Sequence, residues 1–320
     1  MKKRLITAAL LASAMATPMA MANQVKPEMT ELKVCGALMD GHYYKAAGWI
    51  ADRFNRDMAK RNLPVKAVQV ENFGTLDIIN QMKSGECDVG VVSGDGFAWA
   101  TRTGKLPAFI TARPGHTEAM HYIANKAHGK HDLADIEKDI EYRVVVVEDA
   151  GGQVFLQNIA DQDSGYEVNL KNAIKAPDSY QAGLLAAQGF AMVDGQRVKV
   201  AGALVGIRPG KPESIQKIFN DFGKDLVLGS MTDGDFDAAK DADGNDLYYD
   251  VVIPKGTYKV EQSDSFGGQA VLGVRAQLVF NNDSTNGLDR RTKRFADRAM
   301  ISAIAGVSNS MRNAEEQENQ

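Results

Sequence analysis

The feature that most constrains this chain is an alternation near its start, in which short apolar strands ending in glycine or serine are separated by amphipathic helices. Residues 31–35 are apolar and run into a loop bounded by Gly36 and Gly41. Residues 43–58 then carry helical periodicity, with Ala46, Ala47, Ile50, Ala51 and Phe54 on one face. Residues 65–70 alternate as a strand. Asn72 is placed as the N-cap of a helix over 75–83, which Ser84-Gly85 stops. A third strand, 88–92, ends at Ser93-Gly94-Asp95-Gly96. Parallel strands need crossover connections, so this order predicts an open, mainly parallel sheet with helices on its faces.

A second unit repeats the logic. Residues 120–124 form a short strand, 133–136 a connecting turn, and 142–147 a β-branched run suited to a strand buried on both faces. Glu148-Asp-Ala-Gly-Gly152 opens a helix over 153–161. Strands follow at 168–174, 198–207, 226–228 and 270–280, with helices at 179–188, 212–222 and 288–311. The expected architecture is α/β with two lobes and a ligand cleft between them, where the C-terminal ends of the strands face a common crevice. Placing the chain crossings near Met120 and Gly273 assigns residues 23–120 plus 275–320 to lobe 1 and 121–274 to lobe 2.

The first 22 residues stand apart. Lys2, Lys3 and Arg4 precede a short apolar run, and Ala20-Met21-Ala22 offers small residues before a cleavage point at Asn23, the pattern of a secretory signal peptide. Removing them turns the formal charge of −4 into −7, with 34 basic and 41 acidic residues left on 298. That balance argues against a nucleic-acid binder. No later run is long enough to span a bilayer. The two cysteines, Cys35 and Cys87, are read as separate buried thiols about a strand length apart, although an exported compartment permits a disulfide.

Val34-Cys-Gly-Ala-Leu-Met-Asp-Gly41-His-Tyr43-Tyr44 resembles the opening strand and loop of the TAXI family, the solute-binding proteins of TRAP transporters. The segment from Glu71-Asn72-Phe-Gly-Thr to Gly85-Glu-Cys-Asp88 resembles that family's next helix and strand. Arg143-Val-Val-Val-Val-Glu-Asp-Ala-Gly-Gly152 and Ile253-Pro-Lys-Gly-Thr-Tyr258 follow in the family's order. The chain departs from the pattern at Cys35, His42, Gln153 and Ser93-Gly94-Asp95, positions that bear on which solute is bound. The resemblance implies a type II periplasmic-binding-protein fold, a monomer without cofactor or catalytic residues, and a small carboxylate or amino acid as ligand. It also implies delivery to the permease subunits of a TRAP-type transporter. Binding subunits of ABC importers and of membrane sensors share the architecture, and so do some exported enzymes.

Recognition of such a solute needs donors on a rigid frame. Gly36 and Gly41 let backbone approach closely, and the helix after them points N–H groups at the crevice, as Gly151, Gly152 and Gln153 do from the other lobe. His42, Tyr43 and Tyr44 offer a stacking wall and a hydroxyl, while Asn72, Ser93, Asp95 and Arg113 are polar candidates. Other signals are discounted. His116 and His121 are five apart, not the four of the helical zinc motif, and with His128 and His131 they read as surface or locally bonded groups. The aspartates between 233 and 250 look like a calcium loop without its glycine and glutamate frame, and read as a solvated loop. No nucleophile elbow, phosphate-cradling loop or zinc motif supports catalysis. The intact mass of the protein recovered from an exporting cell is expected to correspond to a chain beginning at Asn23; a mass that retains Met1 to Ala22 contradicts the signal reading.

Overall fold

Strand β1 (Thr30–Gly36) pairs in parallel with β2 (Val65–Glu71) on one side and β3 (Val89–Val92) on the other. The crossovers between them are helix α1 (His42–Lys60) and helix α2 (Thr75–Ser84). This computed structural model describes residues 29–39, 41–207, 213–241, 244–263 and 267–318. Residues 1–22, expected from sequence to be a signal peptide, lie outside them. Among the described residues no helix is long and apolar enough to cross a membrane.

Two long strands organise the rest. The 16-residue β4 (Ile110–Asn125) and the 14-residue β12 (Gly268–Asn281) pair antiparallel along most of their length. At one end β12 pairs with β3, and at the other β4 pairs with β8 (Gln196–Ile207) and β9 (Leu226–Gly229). Beyond β8 the pairing is parallel again, through β5 (Tyr142–Val147) to β6 (Ile174–Ala176). The sheet thus reads β2-β1-β3-β12-β4-β8-β5-β6, parallel in its outer parts and antiparallel in its centre. The short strands β7 (Phe190–Val193), β10 (Tyr249–Pro254) and β11 (Glu261–Gln262) attach to β8, β12 and β9.

Burial divides along the same line. Leu32, Ile50, Phe54 and Phe280 form one core with Ala296, Met300 and Ile304 of α8 (Arg290–Glu318). Ile78, Ile79 and Met82 form a second on the opposite face of that half. In the other half, Tyr122, Val146, Phe155 and Tyr166 form a core under α4 (Gly151–Gln162), while Ile123, Val145, Ile218 and Phe219 form one beneath α6 (Ser179–Gln188) and α7 (Glu213–Phe222). Each half is therefore a helix–sheet–helix sandwich, as the strand–helix alternation predicts. Gly273 and Ala119, beside the expected crossings, are opposite one another in the β4–β12 register.

Several expectations need correction. Ser93-Gly94-Asp95-Gly96 is not a loop but the start of α3 (Gly94–Arg102), because the Ser93 hydroxyl accepts from the Gly96 N–H and caps it. Residues 168–174 are not one strand. Glu167–Lys171 is helix α5, and β6 begins only at Ile174. Strand β4 starts ten residues before its apolar stretch, since backbone pairing to β12 carries it through Arg113, Pro114 and Gly115. The acidic stretch is not merely solvated, because Phe236, Ala239, Leu247 and Tyr248 anchor it in the core beneath α4.

Cys35 and Cys87 are joined in a disulfide. Adjacent parallel pairing puts Cys35 opposite Gly90, three residues past Cys87, and brings the two Cα atoms to 6.1 Å, inside the bridging range. The bridge spans 52 residues and ties the end of β1 to the entry of β3. Closing a loop of that length stabilises a domain by about 2–4 kcal/mol. Reduction, or the double substitution Cys35→Ser with Cys87→Ser, should lower the melting temperature by several degrees. An unchanged transition in protein shown to be reduced would mean the bridge constrains nothing.

Candidate ligand site

Four helix N-termini, those of α1, α2, α3 and α4, and the paired strands β4 and β12 meet between the halves. The α1 entry folds back over the end of β1, where a Cβ at Gly36 would sit 2.7 Å from the Tyr43 carbonyl oxygen. This turns Tyr43, buried at 9% exposure, inward to β4, where its hydroxyl donates to Glu118 Oε2 at 2.6 Å. His116, two residues back on the same face of β4, is 1% exposed. It packs edge-on against His42 at 4.7 Å between ring centroids and tilts over Tyr43 at 6.2 Å. Tyr44 is half-buried, and its carbonyl accepts from Gln69 Nε2.

Helix α3 supplies the second wall. Gly94 packs so tightly on β12 that a Cβ would overlap the Arg275 carbonyl oxygen, at the irregularity where the β4–β12 register shifts between Arg275 and Gln277. The next residue, Asp95, is fully buried. Its Oδ1 accepts from the Gly96 N–H at 2.8 Å, and its Oδ2 from the Tyr248 hydroxyl at 3.1 Å. The Asp95 carbonyl accepts from Asn158 Nδ2 of α4 at 3.3 Å. Arg102, at the other end of α3, donates to Asn158 Oδ1 at 2.8 Å and stands 3.7 Å from Asp161. Helices α3 and α4 are thus stitched together across the gap between the halves.

The α4 entry meets α2. Asp149 adopts a left-handed φ of 55°, uncommon for a side chain other than Asn or Asp, and its carbonyl accepts from the Leu76 N–H at 3.0 Å. Gly74 permits this approach, since a Cβ there would lie 2.6 Å from the same oxygen. Gln153 Oε1 accepts from the Asp149 N–H at 3.1 Å and holds the loop in shape. Gly152 lies against the Leu204 carbonyl of β8, and Gly151 beside Gly206. The first turn of α2 therefore spends one of its donors on a carbonyl from the other half.

Two sequence assignments change in this setting. Asn72 is not the N-cap of α2, because Gly74 holds that position. With its amide oriented to its neighbours, Asn72 instead donates to the Gly36 carbonyl at 3.0 Å and accepts from Gln81 Nε2 at 2.9 Å, so it braces the β1 loop. Arg113 is exposed on β4, opposite Leu278. The four late histidines do not gather. His121 is buried on the opposite face of β4 from His116, bonded to the Tyr258 hydroxyl at 3.0 Å, and burial pushes it down to about 4. His128 bonds the Gly189 carbonyl at 2.8 Å. In the acidic stretch, Asp241 Oδ1 accepts from the Asn245 N–H at 2.9 Å, a turn-closing role. His116, read from sequence as a surface or locally bonded histidine, is instead buried here without a hydrogen bond, and sequence reading did not join Glu118, Tyr248, Asn158 or Asp149 to the site. Glu118, a charge set against an apolar strand, is the one with a visible signal.

Electrostatically the site is acidic. Burial pushes the Asp95 carboxyl up from 3.8 to about 6, and the nearby charge of Glu118 adds to it. The Ser93 hydroxyl, Gly96 N–H and Tyr248 hydroxyl pull the other way without prevailing. Burial also raises the Tyr43 and Tyr248 hydroxyls, followed by the charges of Glu118 and Asp95 respectively.

No family model matches the sequence, and no curated protein does. Solved structures with a similar course include a TRAP periplasmic solute-binding protein from Shewanella oneidensis with bound succinate. It is 13% identical over 91% of this chain and 82% of that one, with a TM-score of 0.43. Another, from Haemophilus influenzae with bound L-gulonate, is 10% identical over 91% and 83%, with a TM-score of 0.45. A binding-protein component of an ABC phosphonate transporter from Pseudomonas aeruginosa is 14% identical over 88% and 80%, with a TM-score of 0.42.

A carboxyl that titrates near 3.8 unfolded and about 6 folded binds its proton more tightly in the folded state. Its stabilising contribution is complete below the lower value and is lost as pH rises through the upper one. Asp95→Asn removes that loss, so it should raise the melting temperature at pH 7 by a few degrees, on the order of 2 kcal/mol, with the gain vanishing near pH 4. A variant less stable than the parent at pH 7 would show that the ionised carboxylate is satisfied in the fold.

Proposed function

We propose that this protein is an extracytoplasmic solute-binding receptor, resembling the TAXI group, that closes two lobes around a small carboxylate-type solute or amino acid. The observation that carries this reading is where the buried polar groups lie. Tyr43, Asp95, Glu118 and Tyr248 sit out of water at the junction of two separately cored halves, next to the paired strands that join them. These groups bond one another, and beside them the buried His116 ring has no hydrogen-bond partner, so the cluster fits a site that a ligand completes. The polar contacts that close the junction, Leu76 to Asp149, Asp95 to Asn158 and Arg102 to Asn158, are single bonds that can part, and Ala98 of α3 adds an apolar contact to the core beneath α4.

Lobe 1 is residues 23–120 plus 275–320 and lobe 2 is 121–274, with β4 and β12 absorbing the hinge motion. The Cys35–Cys87 bridge supports an oxidising compartment, in keeping with export to the periplasm. The protein acts as a monomer and hands its solute to the permease subunits of a TRAP-type transporter. Its role is capture rather than catalysis.

Native mass spectrometry of the exported protein should show a retained small molecule. Carboxylates, amino acids and sugar acids screened at a hundred times their dissociation constants should include one that raises stability by about 2.7 kcal/mol. No retained solute, together with no shift across the panel, contradicts the receptor reading.

A further inference from the structure

We propose that the cleft grips its solute by a protonated amino group, received by the Glu118 and Asp95 carboxylates beside the Tyr43 and Tyr248 hydroxyls. This inference rests on the cleft being the solute site and adds the charge of the group it takes there.

The two carboxylates come from different elements, β4 and α3, and both are buried at the junction. Among the described residues neither is paired with a lysine or arginine. The ion pair of Arg102 goes to Asp161, and among the described residues the basic group paired with Glu118 is His116, a cation only when protonated. Glu118 adds to the cost of ionising Asp95, because like charges in a dry site repel. Two buried acids without a cation make a charge arrangement that a cation supplied from outside would complete.

His116 gives the independent indication. Its ring is 1% exposed, yet neither nitrogen makes a hydrogen bond, and Nε2 stands 3.6 Å from Glu118 Oε1. That distance is too long for a bond, so the edge of the site containing Oε1 and the imidazole is incomplete. Glu118 Oε2, by contrast, is already used by Tyr43. An ammonium group offers three donors, enough for Glu118 Oε1, an Asp95 oxygen and one further acceptor such as an imidazole nitrogen or a tyrosine oxygen. A ligand group with only negative charge would meet two like charges at this end. A carboxylate elsewhere on the same solute would have to find its donors away from this corner.

The test is isothermal titration calorimetry of the mature, disulfide-intact protein with pairs matched in carbon skeleton: glutamate against glutarate, 4-aminobutyrate against butyrate, and 1,4-diaminobutane against succinate. Amine-bearing members should bind at least tenfold more tightly than their partners. Glu118→Gln, which keeps an acceptor for Tyr43, should weaken them at least tenfold while the melting temperature of the free protein holds, and Asp95→Asn should weaken them to the same degree. Equal or tighter binding of the amine-free acids overturns the inference and leaves the receptor reading standing. Binding of zinc or calcium ions alone, with no organic member bound, overturns it in favour of a metal site. If no member binds, the inference is overturned as well, and a silent carboxylate panel would then withdraw the receptor reading with it.

Discussion

The antiparallel pairing of β4 with β12 is the constraint on which the rest of the structure depends. Both strands run through the middle of the sheet, and each changes its outer neighbour along its length, so both halves hang from the same ladder. Once that ladder forms, the parallel strands on either side need only local crossovers, and each half buries its own helices on both faces. The register irregularity near Arg275 follows from the same pairing. It presents a backbone carbonyl to the first turn of α3, whose N-terminal N–H dipoles favour negative charge, and Gly94 lets the helix settle against it.

Where the ladder meets the helix N-termini, burial and charge compete. Asp95 sits in the first turn of α3, a position that ordinarily favours an ionised carboxylate, and it accepts two good hydrogen bonds. Complete burial outweighs both. This is the opposite of a site built to take an anion through helix N-termini alone, the arrangement the glycine loops suggest from sequence. The formal charge of −7 expected for the mature chain decides little here. The local pair of acids, the imidazole of His116 and two tyrosine hydroxyls set the chemistry.

Much of the fold was legible in the sequence because its elements are strongly periodic. Helices α1, α2 and α6 announce themselves by apolar spacing, α2 and α6 with a glycine stop as well, and β5 by its run of valines. What escaped has physical reasons. Helix α3 begins Gly-Asp-Gly, which reads as a loop until the Ser93 cap is seen. The polar half of β4 is held by cross-strand hydrogen bonds that no local pattern encodes. The disulfide depends on which strands become neighbours, a long-range outcome. In the site, Tyr43 was visible as a residue following a glycine loop, and Ser93 and Asp95 as polar residues at the glycine-rich end of β3. Glu118, His116 and Tyr248 were not placed with them, because they arrive from 75, 73 and 205 positions along the chain from Tyr43 and are brought together only by the crossing strands.

The most direct test of a solute-filled cleft is a crystal structure of the protein as it is recovered from the exporting cell, without added ligand. The expected result is electron density for a small organic molecule between the halves, bounded by Tyr43, Asp95 and Glu118. Density for a bound molecule only elsewhere, as in the surface depression of about 320 Å³ lined by His128, Gly189 and Arg197, would contradict it.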